Sequence, residues 1–306
     1  MNWADTGAGW SWNPVTDLQQ IWAFPFMVNA FRAGTVVAVL AAVMGWFMVL
    51  RRQSFAGHTL AVVSFPGAAC ATLLGIGAGF GYFAFCVGGA LVIAAIPRAA
   101  LSGAGQSAGG QESALTGTVQ AFLLACGFLF VALYKGFLGG VNSLLFGSFL
   151  GITTVQVTVL TVVAGLALGA LAVIGRPLLF ASVDENVAAG RGVPVRALSV
   201  VFLVLLGAAT AEASQITGTL LVFALLVMPA AAAQQLTVRP ALSLALAVVI
   251  AIAVTWTGLI AAYYSPYPIG FYVTTFAFAV YVLARAAHTL STAVGRHRVV
   301  GAGAVA

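Results

Sequence analysis

Ala181-Ser182-Val183-Asp184-Glu185-Asn186-Val187-Ala188-Ala189-Gly190-Arg191-Gly192-Val193-Pro194 interrupts an otherwise apolar chain. Only 6% of the residues are charged, yet two of the six acids and Arg191 fall in this stretch, with long apolar runs on both sides. Charge at that density does not sit in hydrocarbon, so the flanking runs read as membrane spans and the stretch as a loop outside the lipid. The loop also carries the punctuation of a short helix. Ser182 is placed to cap its start and Glu185, three residues on, to complete a capping box; Asp184 and Glu185 suit the positive helix end, and Gly192 with Pro194 supplies the stop. Small Ala188 and Ala189 leave room for another surface to approach. A capped helix standing in a loop is a candidate docking surface, the alternative being a solvated helix that only tidies the loop.

Composition sets the frame for this loop. With 62% hydrophobic residues and a mean hydropathy of +1.10, the chain cannot present a water-soluble surface, which needs about 25 to 35% charged residues. The fold class is all-α, a polytopic transmembrane helical bundle surrounded by membrane lipid. Barrel strands of alternating pattern are absent. At roughly 20 residues per span, 306 residues hold about eight to ten helices and leave no room for a soluble catalytic domain. The net charge of +6 lies mostly in loops, where it reports orientation and does not argue for nucleic acid. Cys70, Cys86 and Cys126 sit in separate apolar segments without metal-site spacing and read as small packing residues, with no disulfide expected.

Apolar segments at 23–50, 58–76, 78–97, 115–134, 152–175, 197–213, 216–236, 241–263 and 268–289 predict nine crossings. With the N-terminus outside, Arg51, Arg52, Arg98, Arg176, Arg191, Arg196, Arg239, Arg296 and Arg298 all fall on the cytoplasmic side and only Lys135 among loop cations falls outside. Arg32 and Arg285 lie near segment ends, where long side chains snorkel. The chain then divides into a polar lead over 1–22, a permeation domain over 23–289 with its cytoplasmic loop at 181–194, and a basic cytoplasmic tail over 290–306 that reads as disordered. Residues 98–112 read as a flexible loop. The stretch 135–150 is too apolar for a loop and too glycine-broken for a span, so it is either re-entrant or packed tightly through its glycines.

Two titratable residues within apolar surroundings are candidates for an ion path. His58 opens the second span, which carries Pro66-Gly67 in its middle; it is either an interfacial ring bonded to neighbouring backbone or a group on the path. Glu212 lies in a polar stretch, Thr210 to Gly218, between two spans, and is either an interfacial carboxylate at a hairpin tip or an attractor of cations. By helix rise, Glu212 sits roughly 20 Å above the inner end of its span and His58 near the inner end of its own, so the two should not chelate one ion together. No phosphate loop, metal-protease motif or nucleophile triad is present, so the chain does not read as an enzyme.

Several of these stretches together resemble one family, the membrane subunits of ATP-binding-cassette importers for divalent metals such as zinc and manganese. The resemblance runs from about Phe24 to His288. It rests on Arg51-Arg52 followed by Gly57 and Pro66-Gly67, on Leu145-Phe146-Gly147-Ser148, on Asp184-Glu185-x-x-Ala188-x-x-x-Gly192, and on Gly218-x-Leu220-Leu221 with Ala224-Leu225-Leu226-Val227-Met228-Pro229-Ala230-Ala231. It implies that Asp184, Glu185, Ala188 and Gly192 belong to a coupling helix seated on a separate ATPase subunit. It also implies a pair of identical chains in the inner (plasma) membrane, an extracytoplasmic solute-binding protein, and no cofactor of the chain's own, ATP being bound elsewhere. Where many relatives read Gly-Asp-Ala-Leu-Ser-His, this chain reads Gly57-His58-Thr59-Leu60-Ala61-Val62, so the family's metal ligands do not carry over. Because of that loss, a permease for chelated iron or another small solute is the alternative within transport. A secondary transporter that needs no ATPase is the alternative outside the family, and the coupling motif argues against it.

Overall fold

The computed structural model describes residues 19–95, 108–134, 145, 147, 151–265 and 267–303. Among these residues the chain forms helices α1 (Pro25–Leu50), α2 (Ser54–Leu73), α3 (Ala78–Ala95), α4 (Ala108–Leu133), α5 (Thr154–Val183), the short α6 (Glu185–Gly190), α7 (Val195–Thr217), α8 (Thr219–Leu236), α9 (Pro240–Tyr263) and α10 (Ile269–Gly303). Seven of them are long and apolar enough to cross a membrane, α10 over Ile269–Ser291, and α4 and α8 are apolar over Gly117–Leu133 and Leu221–Leu236. The nine expected crossings correspond to nine helices among the described residues, the other two being α4 with 26 residues and α8 with 18. With no alternating barrel pattern in the sequence, helices are the form in which each backbone N–H and C=O in hydrocarbon finds a partner.

α1 is the hub, packed on α5, α7, α8 and α9, and α2 is a second centre, packed on α3, α4, α7 and α8. Small residues set these contacts. A Cβ on Gly45 would fall 1.8 Å from the Leu226 carbonyl oxygen, so α1 and α8 meet backbone to backbone. Gly67 and Gly81 do the same for α2 and α3, each facing the other's carbonyl. Beside them, Pro66 interrupts the hydrogen bonding of α2 in mid-span, and α4 covers it through Gly127, where a Cβ would sit 3.0 Å from the Pro66 Cα. That cover by neighbouring helices is what makes a mid-span proline tolerable.

Side-chain bonds show which loops share an end. Trp46 Nε1 donates to Ser243 Oγ at 2.9 Å, and Gln234 Nε2 donates to the Trp46 carbonyl at 3.0 Å. Arg51 donates to Ser182 and Ser199. The ends of α1, α5 and α8 and the starts of α7 and α9 thus lie together, bringing Arg51, Arg52, Arg191, Arg196 and Arg239 to one face. At the other face Asn29 Nδ2 donates to the Ile152 carbonyl at 3.2 Å, and the Phe24 and Tyr263 rings stand 6.3 Å apart. These are five of the nine arginines that the sequence sorts to one side; Arg98 lies outside the described residues.

Three local expectations change. The polar stretch from Thr210 to Gly218 does not lie between two spans: α7 continues through it to Thr217 and the break is confined to Gly218, at φ +76°. Ala, Gln and Ile in that stretch permit helix, and Thr210 and Thr217 donate to carbonyls one turn back, which keeps their hydroxyls satisfied without leaving it. At the other end of the chain, α10 runs to Gly303, into the stretch read as a disordered tail; no proline follows Ile269 to stop it. α4 begins at Ala108, inside the expected flexible loop. Of the lead, 1–18 lies outside the described residues, as does most of 135–150; within the latter, Gly147 has φ +75° and its backbone is pressed against residues 216–218.

Candidate functional site: the α6 platform and the buried polar residues

α6 is capped at both ends, but its cap is Asp184 and not Ser182. α5 continues to Val183, so Ser182 is an interior helix residue and donates back to the Leu178 carbonyl at 2.5 Å. Asp184 is the first residue in extended conformation, φ −146° and ψ 105°, and its Oδ1 accepts the Val187 N–H at 2.9 Å. Glu185 then occupies the first turn, where its charge favours the helix dipole. At the far end the Gly192 N–H bonds the Ala189 carbonyl at 2.9 Å and the Val193 N–H bonds the Ala188 carbonyl at 3.1 Å, with Gly192 at φ +80°. These are the two bonds of a Schellman stop, and the left-handed residue between them is the glycine the sequence points to. A Cβ there would meet nothing within 4 Å, so the requirement for glycine is conformational.

Ala188 faces the opposite way from the expectation. It is fully buried against Ala181 and Val195, with Val193 beside them, and seats α6 on the ends of α5 and α7. Its smallness lets α6 approach its own bundle. The surface left free is made by Glu185, Asn186, Val187, Ala189 and Arg191, all exposed, with Val187 47% exposed. Between α6 and the first turns of α7 runs an open groove with Glu185, Asn186 and Ala189 on one side and Pro194, Arg196 and Val200 on the other. An acid and a base on facing walls, with apolar floor between them, can receive a protruding element of a partner.

His58 stands in the second turn of α2. The Gln120 amide of α4 bridges it to its neighbour, 3.4 Å from His58 Nε2 and 3.1 Å from Thr59 Oγ1. The ring packs edge-on to Phe223 of α8 at 4.8 Å, and Nδ1 is buried without a hydrogen-bond partner. Glu212 lies inside α7, 2% exposed, with Oε2 buried and unpartnered. It is therefore a buried intrahelical carboxylate and not a hairpin-tip residue. α2 and α7 begin at the same face, so by rise His58 is about 6 Å and Glu212 about 25 Å along their helices. The structure does not bring them together, and among the described residues no group of three or more His, Cys, Asp or Glu is placed to hold a metal ion. Gln120 and Phe223 were missed because each is an ordinary residue of a span until the fold sets it beside His58.

The family described as ABC 3 transport family matches residues 23–288. The manganese transport system membrane protein MntC of Halalkalibacterium halodurans is 28% identical over 231 residues, 74% of this chain and 75% of the relative. The chelated iron transport system membrane protein YfeC of Yersinia pestis is 30% identical over 222 residues, 72% of each. Among solved structures, PsaBC from Streptococcus pneumoniae in complex with Fab superposes with a TM-score of 0.76 at 24% identity, covering 87% of this chain and 93% of that one, a likeness of fold.

Proposed function

The chain belongs to the ABC 3 transport family, and from that membership we propose that it forms the transmembrane path for a divalent metal ion, manganese or zinc, driven by a separate ATPase that docks on α6. It is a permease of a metal importer, and hydrolysis belongs to another subunit. The observation that carries the docking is the build of α6: a six-residue helix closed at both ends, seated through Ala188, with Val187 and the groove beside it open. A connector needs none of these. In the proposed assembly two copies of the chain enclose the path, and a solute-binding protein delivers cargo at the face opposite α6. Closure of the ATPase would move α6 and rearrange the spans between outward-open and inward-open states. Glu212 would attract the cation toward the outer part of the path and His58 would act near the inner gate, since both keep a buried polar atom without a partner.

A second reading, iron carried as a chelate, draws on the sequence around His58. Imidazole suits zinc or iron better than the hard manganese ion, and no acid stands near His58 at the start of α2, Ser54 to Val63. The relative from Yersinia pestis carries chelated iron by its name. Uptake of manganese(II), zinc(II) and a ferric chelate, compared in cells expressing the complete transporter with wild-type chain or Glu212→Gln, decides between them. Loss of free-ion uptake in the variant at low concentration, with normal membrane levels, is the expected result. Normal uptake of every free ion by that variant would remove Glu212 from the path, and uptake of the chelate alone would overturn the free-ion reading. Docking is tested separately: Val187→Lys, on an exposed position, should abolish co-purification of the ATPase subunit while leaving the permease inserted.

A further inference from the structure

The two arms of the loop that carries α6 converge on one side chain. Arg51, the C-cap of α1, donates from Nη2 to Ser199 Oγ at 2.6 Å and from Nη1 to Ser182 Oγ at 3.3 Å. Ser182 lies in the last turn of α5, just before Asp184, and Ser199 in the second turn of α7, just after Pro194. Arg51 Nε donates to Gln53 Oε1 at 3.4 Å within its own turn, and the guanidinium lies 5.6 Å over the Phe202 ring. Both serine hydrogens are already committed, to the Leu178 carbonyl at 2.5 Å and the Val195 carbonyl at 2.9 Å, so each hydroxyl turns a lone pair to the guanidinium. Only a planar fork can serve two acceptors on different helices and still hold its own turn; an ammonium presents a single point. On the chain side, Arg51 is followed after Arg52 and Gln53 by α2, which carries His58 in its second turn.

We infer that Arg51 is a positioning residue that carries movement of the α6 loop into the α1–α2 turn, so that ATPase closure reaches the helix bearing His58. The inference rests on the docking of the ATPase at α6. Apolar helix surfaces can slide past one another, whereas directed bonds to both arms of the loop must move with it or break. The α1–α2 turn is thereby made to follow the loop as a unit. Gln120 and Phe223, which hold His58 from α4 and α8, then define what the turning of α2 would disturb.

The test uses the complete permease–ATPase complex, reconstituted in proteoliposomes with its binding protein, and reads manganese(II) uptake and ATP hydrolysis on the same sample. For Arg51→Gln the ATPase should remain associated, hydrolysis should stay within about twofold of wild type and uptake per ATP should fall about tenfold, a change of about 1.4 kcal/mol in coupling. The double variant Ser182→Ala/Ser199→Ala, which keeps the charge and removes both acceptors, should reproduce that loss; Arg51→Lys should recover part of it. Unchanged uptake per ATP in the double serine variant overturns the inference, as does a parallel fall of uptake and hydrolysis, and if Arg51→Gln does not assemble the serine pair alone decides. The docking reading fails by a different sign, ATPase association that is indifferent to Val187→Lys.

Discussion

Two helix ends at the arginine-rich face use the same device with one residue exchanged. At the end of α6, Arg191 is the C-cap, Gly192 takes the left-handed position at φ +80°, and Val193 closes the stop. At the end of α1, Arg51 is the C-cap, Arg52 takes that position at φ +57°, and the Arg52 and Gln53 N–H groups bond the Val49 and Met48 carbonyls at 3.0 and 2.9 Å. In each, the capping arginine lies over a phenylalanine, Phe180 for Arg191 at 6.0 Å and Phe202 for Arg51 at 5.6 Å. The difference is the residue in the strained position. Glycine enters it freely, while an arginine pays about 1 to 2 kcal/mol. Backbone geometry therefore explains Gly192 and does not explain Arg52. The Arg52 side chain is exposed beside the bridging Arg51 and adds to the arginine-rich face of the bundle.

Exchanging the residues separates those causes. The largest effect belongs to Gly192→Val, which puts a β-branched residue into the left-handed region; α6 should lose its stop, and recovery of the ATPase with the permease should drop by about tenfold or more, following a strain above 1.4 kcal/mol. Normal recovery would mean that the α6 stop is not needed for docking, and the comparison would lose its functional side. Asp184→Ala comes next. Removing the cap costs about 0.5 to 2 kcal/mol, confined to α6, so hydrogen exchange at the Val187 amide should quicken about twofold to thirtyfold. Asp184→Ser should restore it. The smallest change is Arg52→Gly, which should raise thermal stability by about 1 kcal/mol with uptake unaltered. A loss of stability in that variant would show that the Arg52 side chain holds a contact outweighing its strain.

The loop that carries α6 shows how far local reading reaches. A charged, glycine-stopped helix between two apolar runs is visible in residues 181–194, because hydropathy, charge and left-handed glycines are properties of short windows. The cap lies two residues beyond Ser182, at Asp184, because nothing within the window says that α5 carries on to Val183; a serine at a helix end and a serine inside a helix look alike until the i−4 carbonyl is there to receive its hydrogen. The direction in which Ala188 faces is hidden from the window for the same reason. Its smallness was legible, and its direction was set by Ala181 and Val195 on the neighbouring helices.

Composition, hydropathy and arginine placement by themselves determine that this chain is an all-helical membrane protein with its loops sorted by charge, since lipid leaves the backbone only helices or closed barrels and the alternating barrel pattern is absent. They also determine that α6 starts with acids and ends on glycine. Tertiary structure alone decides that Glu212 is enclosed within α7, that His58 answers to Gln120 and Phe223, and that Arg51 joins the two arms of the α6 loop. Each of these is a contact between residues far apart in the chain, and such contacts follow from how apolar helices cross at their small residues, which no window of sequence contains.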